Sequence, residues 1–237
     1  MPQFADFDRR NYRTVDVKTG YGQWVATYEH TVEDVMDLAL LDRLTTVDWQ
    51  TIERAADLGC GTGRTAAWLR DRGVQHIDGV DLTPEMLDRA RERGAHDTLT
   101  EADVTETGLG TGAYDLAIAS LIDEHLADLG PFYSEASRLV RPGGTCVVVA
   151  YHPHFIMTTG MPTHYKTESG EDVAITTHLH QVSDHVNHAR QAGWHLEEMQ
   201  ESLINDEWLT KKPKWKPYRN HPISAAYTWQ KCDRSEA

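Results

Sequence analysis

Three glycines in five positions, Gly59, Gly61 and Gly63, follow a short apolar run and precede a helix-like stretch in AADLGCGTGRTAAWLRDRG, residues 55–73. Glycine lets a backbone approach a ligand closely, and a helix start offers free N–H groups, so such a loop suits a polar small molecule. Asp57 stands just before the glycines, and Asp81 ends the next strand-like run, where a carboxylate can accept both hydroxyls of a ribose. A dinucleotide loop reads G-x-G-x-x-G; here the sixth position is Arg64 and the third glycine comes early, which disfavours an NAD-dependent oxidoreductase. Arg64 itself reads as a surface residue of the following helix.

A second group of residues can move protons. KTGYGQWVATYEH contains Tyr21, Trp24, Tyr28, Glu29 and His30, and the long segment after residue 150 contains His152, His154, His164, His178, His180 and His185. Imidazoles and polar aromatics together suit a pocket that orients an electron-rich substrate and takes its proton. His178 and His180 point the same way in an extended segment, but no histidine pair sits on a clear helix at zinc-binding spacing, so no metal is expected.

The elements that must position these groups alternate between strand and helix. Val32, Val35, Met36, Ala39 and Leu40 recur at helical spacing. Strands are expected near 55–58, ending at Asp81, at YDLAIAS (114–120) and at TCVVVAY (145–151), with helices at about 62–72, from Thr83-Pro84-Glu85, and at DLGPFYSEASRLV before RPGG. Repeated βα units imply a parallel sheet with helices on both faces. ISAAYTWQK (223–231) alternates as a half-buried strand, expected to run antiparallel. The 237 residues are read as one domain: a helical cap over 1–45, a core over 46–151, an insertion over 152–182 and the rest of the sheet over 183–237.

A net charge of −14 argues against a nucleic-acid partner and leaves a small molecule as the default. The basic and aromatic run KKPKWKPYR (211–219) reads either as a phosphate contact or as a solvated loop with Trp215 tucked inward. No signal peptide or membrane-length apolar run is read, so a cytoplasmic location is expected, as monomer or homodimer, with no membrane partner. Cys60, Cys146 and Cys232 have no CxxC spacing and imply neither a disulfide framework nor a thiolate metal site.

DLGCGTGR resembles motif I of the class I S-adenosylmethionine-dependent methyltransferases, and GVDLTPEML, EADV, YDLAIASLIDEHL and LVRPGG follow in that family's order. The resemblance implies a Rossmann-like α/β fold of seven strands in the order 3-2-1-4-5-7-6, the last antiparallel, with a cap over the carboxyl edge. It implies S-adenosylmethionine as cofactor, with S-adenosylhomocysteine as product, held by Asp57, Gly59, Gly61, Gly63, Asp81, Leu82, Asp103, Val104 and Ser120. Of these, Asp81 would take the ribose and Asp103 the adenine amino group. The cap is similar to small natural-product methyltransferases of secondary metabolism, including indole C3-methylating enzymes. That finer resemblance implies a proton-handling set of Glu29 and His180 aided by Tyr21 or Tyr28, with Trp24, His125, Phe155 and His178 about the substrate. O- or N-methylation of another metabolite, and non-catalytic binding of S-adenosylmethionine, are the alternatives.

Overall fold

The computed structural model describes residues 2–32 and 34–232; residues 233–237 of the expected carboxyl-terminal part lie outside them. Along the chain run β1 (Arg13–Val15), α1 (Val17–Tyr28), α2 (Leu38–Leu41), β2 (Arg54–Leu58), α3 (Arg64–Arg70), β3 (His76–Asp81), α4 (Pro84–Arg93), β4 (Thr98–Glu101), β5 (Tyr114–Ser120) and α5 (Leu129–Leu139). They are followed by β6 (Val140–Tyr151), α6 (Pro153–Thr159), β7 (His164–Lys166), β8 (Asp172–Ile175), α7 (Val182–Gln191), β9 (Trp194–Leu203), α8 (Asp206–Lys211) and β10 (Pro222–Lys231).

Seven strands form the main sheet in the order β4-β3-β2-β5-β6-β10-β9, with β10 antiparallel to both neighbours. Counted within this sheet, that is the 3-2-1-4-5-7-6 order expected of the Rossmann-like methyltransferase fold. The apolar runs are continuous because both faces of the sheet are covered. In β6, Cys146, Val148 and Ala150 pack with Phe132, Tyr133 and Leu139 of α5, while Val147 and Val149 pack with Leu40, Leu41 and Leu69 on the other side. Strand β10 is antiparallel as expected, yet buried on both faces rather than one: Ser224, Ala226 and Thr228 are as enclosed as Ala225, Tyr227 and Trp229. It lies between β6 and β9, and Ser224 Oγ is satisfied by donating to the Met36 carbonyl at 2.6 Å.

The cap departs from an all-helical one. Strand β1 pairs parallel with β8, and β8 pairs antiparallel with β7, so the amino-terminal segment and the insertion after β6 share a small sheet. Gly20 brings α1 against Ile175 of β8, where any Cβ would collide. The apolar positions from Val32 onward do not form one helix either. A 3-10 turn over Asp34–Met36 and the short α2 are separated by Asp37, whose carboxylate accepts from Leu38 N and from Arg64. No helix among the described residues is long and apolar enough to cross a membrane.

Candidate active site

From β2 the chain moves outward through β3 and β4, then returns to β5 on the other side of β2. The connections leaving the carboxyl ends of the paired strands β2 and β5 therefore run to opposite sides, and such a switch point is where open α/β sheets bind ligands. The glycine loop sits there. Gly59, Gly61 and Gly63 have φ of +71°, +51° and +82°, a region that side chains other than glycine rarely adopt. Gly59 N and Cys60 N donate to the Val80 carbonyl, tying the loop to β3. A Cβ on Gly61 would meet no atom within 4 Å, so this residue opens onto free space.

That space is a cavity of about 140 Å³ lined by Gly59, Gly61, Asp81 and Leu82 on one side and by Asp103, Val104 and Ser120 on another. Asp81 Oδ2 accepts from Gly61 N and Oδ1 from Thr83 N, each at 2.8 Å. Burial raises its pKa against those two hydrogen bonds, so the carboxylate lacks the solvation it would have in water. Asp103 Oδ1 is occupied by Thr105 N and Oγ1. Two residues expected at the cofactor, Asp57 and Gly63, lie outside this cavity. Asp57 is 1% exposed and meets His96 Nε2 at 3.1 Å, and a Cβ on Gly63 would press on His96 and Arg93. Neither lines the cavity; both brace the loop from below around a buried histidine.

A second chamber of about 510 Å³ adjoins the first, with Tyr21, Tyr28 and Leu121 lining both. Its walls carry Trp24, Phe155, Trp208 and Trp215, with Phe155 and Trp215 ring centroids 5.2 Å apart. Leu121, at the end of β5, has φ of +56°, a conformation costing a leucine on the order of 1–3 kcal/mol. Nothing in its residue type announces that role.

At the junction of the chambers, Tyr21 Oη lies 2.8 Å from His125 Nε2, and His125 Nδ1 lies 2.8 Å from the Thr176 carbonyl. A carbonyl only accepts, so Nδ1 carries the ring proton and Nε2 takes the hydrogen bond donated by Tyr21. Burial lowers the His125 pKa to about 4, which keeps the ring neutral and available as an acceptor. Burial, with the Glu124 carboxyl nearby, pushes the Tyr21 phenol well above its ordinary value. Glu124 is enclosed beside them: Oε1 accepts from Thr163 Oγ1 at 3.0 Å and lies 3.6 Å from His125 Nε2. Burial and then the Asp123 carboxyl hold its pKa well above the usual range. Nothing in the string DEHL says which of its two carboxylates lines the site; it is Glu124.

The expected partnership of Glu29 and His180 is not formed. Glu29 follows α1 with its carboxylate 2.7 Å from Arg93, and His180 Nε2 donates to the Leu126 carbonyl at 2.7 Å. Neither lines either cavity, nor does His178, whose backbone N donates to the Glu124 carbonyl. Tyr21, Tyr28, Trp24 and Phe155 do line the chambers, and so does His125. Arg64 is not a surface residue: its side chain is 13% exposed and binds Asp37 at 3.0 Å and Asp34 at 2.6 Å. Asp37 also accepts from Ser120 Oγ, so this ion pair joins the amino-terminal segment to the glycine loop and to β5. Trp215 is tucked inward, as one reading of its basic run expected.

Residues 56–148, which hold the end of β2, the glycine loop, β3 to β5 and most of β6, match the family described as the methyltransferase domain. This stretch is a methyltransferase domain. The chain is similar to a malonyl-[acyl-carrier protein] O-methyltransferase of Serratia marcescens, 37% identical over 92 residues that make up 39% of this chain and 36% of that protein. The matched part is thus little more than a third of that relative's length. Similarity to an uncharacterised methyltransferase of Emericella nidulans is 28% over 204 residues, 70% of this chain and 68% of the relative. Among solved structures, an S-adenosylmethionine-dependent methyltransferase of Mesorhizobium loti superposes with a TM-score of 0.65 at 24% identity, covering 83% of this chain and 98% of its own. The methyltransferase fold therefore extends well beyond the matched residues.

Proposed function

We infer that this chain transfers the methyl group of S-adenosylmethionine to a small aromatic molecule, with C3 of an indole in a natural-product pathway as the preferred acceptor. The observation that carries the reading is the shared wall: Tyr21, bonded to His125, lies where the glycine-loop cavity meets an aromatic chamber. The residues fit the cofactor. Asp81 spends one lone pair of each oxygen on Gly61 and Thr83, leaving the others for the two ribose hydroxyls. Asp103 keeps Oδ2 for an adenine amino group, Leu82 and Val104 give the base apolar flanks, and the open face of Gly61 admits the amino-acid end.

When bound, S-adenosylmethionine supplies an activated methyl group and leaves as S-adenosylhomocysteine. The chain's work is alignment, exclusion of water and removal of a proton. Trp24 and Phe155 hold a flat ring in the aromatic chamber, within reach of the junction. Indole attack through C3 yields a cationic ring that loses a proton, from its own nitrogen side or from an internal N–H that closes onto C2. Tyr21 Oη takes that proton while giving its own to His125 Nε2. Burial keeps the His125 ring neutral, so Nε2 is free to accept. Incubation with methyl-labelled cofactor and an indole panel tests the reading: label at C3 is the expected product. Label on oxygen or nitrogen only, or no transfer from a protein that binds the cofactor, overturns it.

A further inference from the structure

The short turn after β5, residues 123–126, brings Glu124 and His125 to the cavities. Its only backbone bonds are local ones, Leu126 N to the Asp123 carbonyl and His125 N to the Ile122 carbonyl, so the aim of its side chains depends on what grips it from outside. One stretch of chain, residues 176–185, does so at every position. His125 Nδ1 donates to the Thr176 carbonyl at 2.8 Å, His178 N donates to the Glu124 carbonyl at 2.6 Å, and His180 Nε2 donates to the Leu126 carbonyl at 2.7 Å. The remaining contact joins two side chains: His185 Nε2 of α7 lies 3.4 Å from Asp123 Oδ2.

That contact is enclosed, since His185 is 1% exposed and Asp123 4%. Asp123 Oδ1 accepts from Tyr151 N at 3.2 Å, which leaves Oδ2 to face the imidazole. Tyr227 stacks on the His185 ring with centroids 4.9 Å apart, the His180 ring stands edge-on at 6.2 Å, and Tyr133 Oη lies 2.9 Å from Nδ1. His185 Nε2 has no hydrogen-bond partner among the described residues, so the carboxylate is the group it faces. A carboxylate oxygen only accepts; Nε2 therefore carries the ring proton, and Nδ1 takes the hydrogen bond donated by Tyr133. Neither Asp123 nor His185 lines a cavity, so any effect on chemistry passes through the turn.

We propose that Asp123 and His185 are positioning residues of this turn: the His185 N–H, fixed in one tautomer by Tyr133, holds the Asp123 carboxylate and so keeps His125 within hydrogen-bonding reach of Tyr21. The consequence for turnover rests on the methyl-transfer reading; the consequence for the two imidazoles does not.

Nitrogen NMR spectra of the imidazole rings in the full chain test the geometry without any acceptor. His185, identified by the signal lost in His185→Gln, is expected as the Nε2–H tautomer. In Asp123→Asn, nearly isosteric and still able to accept from Tyr151 N, an amide N–H faces Nε2, and the ring proton should move to Nδ1. His125 is expected as Nδ1–H and neutral down to about pH 4. In His185→Asn, whose shorter amide reaches Tyr133 but not Asp123, His125 should lose its single tautomer and titrate nearer 6.5.

Turnover with methyl-labelled cofactor and an indole acceptor tests the consequence. His185→Asn should lower kcat about 10²-fold through misplacement of His125, with the dissociation constant of S-adenosylhomocysteine unchanged. His185→Gln, whose amide nitrogen reaches as far as Nε2, should recover most of that loss. Added to His125→Asn, His185→Asn should cost no more than about threefold further. An Nδ1–H tautomer of His185 in the wild type, the same tautomer in Asp123→Asn, or a His125 ring unaltered by His185→Asn overturns the proposal. So does an undiminished kcat, or an equal loss in the His125→Asn background. If His185→Asn does not fold, the tautomer in Asp123→Asn decides the pair. If no indole takes a methyl group, the acceptor reading falls while the ring spectra still decide the positioning.

Discussion

Tyr21 of the amino-terminal helix and His125 of the turn after β5 share a 2.8 Å hydrogen bond although more than a hundred residues separate them. Thr176, from the segment after β8, orients the imidazole through its carbonyl. Three distant pieces of chain thereby set one tautomer. Tyr21→Phe and His125→Asn should each lower turnover by about 10²–10⁴-fold while cofactor affinity changes little. Because the two form one proton path, the double variant should be scarcely slower than the slower single one. Single-turnover rates at saturating S-adenosylmethionine check this; fully multiplicative losses would show two independent roles.

Burial also makes His125 a source of acid lability. Its folded pKa of about 4 lies below the ordinary histidine value of 6.5, so between those values the unfolded chain takes up a proton that the folded chain refuses. The stabilisation is complete above the upper value and is lost as pH falls toward the lower one. Wild type should lose more thermal stability between about pH 7 and about pH 5 than His125→Gln, which cannot titrate there. Parallel melting curves for the two proteins across that range would refute the assignment.

Asp81 fastens the glycine loop as well as facing the cavity, since Gly61 N and Thr83 N both donate to it. Asp81→Ala should therefore weaken binding of S-adenosylhomocysteine at least tenfold and also lower stability by about 1–3 kcal/mol through the unpaired N–H groups. Titration calorimetry and chemical denaturation together check both parts; undiminished affinity would remove Asp81 from the cofactor site.

The pair of Arg64 and Asp37 is nearly dry on both sides. Removing one partner leaves an uncompensated buried charge, so Arg64→Met and Asp37→Ala should each cost about 3–5 kcal/mol. Arg64→Lys should recover only part, because an ammonium cannot span Asp34 and Asp37 with a planar fork. Urea denaturation midpoints measure this.

Glu29→Gln loses a half-exposed pairing with Arg93 and should leave turnover within about threefold of wild type. His180→Ala should act on stability, by about 1–3 kcal/mol, because the Leu126 carbonyl loses its donor. A large rate loss in a folded Glu29→Gln protein would restore it to the chemistry.

Much of the sheet was legible in the string because local rules govern it. The 114–120 strand, the Pro84 helix start and the positive-φ glycine loop follow from apolar runs, a fixed proline φ and the absence of a Cβ, all properties of neighbouring residues. Strand order was legible through the family resemblance, and the cavity-facing places of Gly59, Gly61, Asp81 and Asp103 through the motifs that carry it.

What only the tertiary structure decided is which distant polar group meets which. A histidine-rich insertion offered several imidazoles of equal chemical promise, and the β1 to β8 pairing brought the segment near Tyr21 so that Thr176, not a histidine of its own, fixes His125. The helix expected from Val32 is interrupted at Asp37, which caps α2 and, with Asp34, binds Arg64, a pairing no periodicity encodes. Hydrophobic spacing reports which face of an element is buried. It carries no information about the partner across the gap, and hydrogen bonds are short enough that the partner alone decides whether a side chain is a base, a brace or an ion-pair anchor.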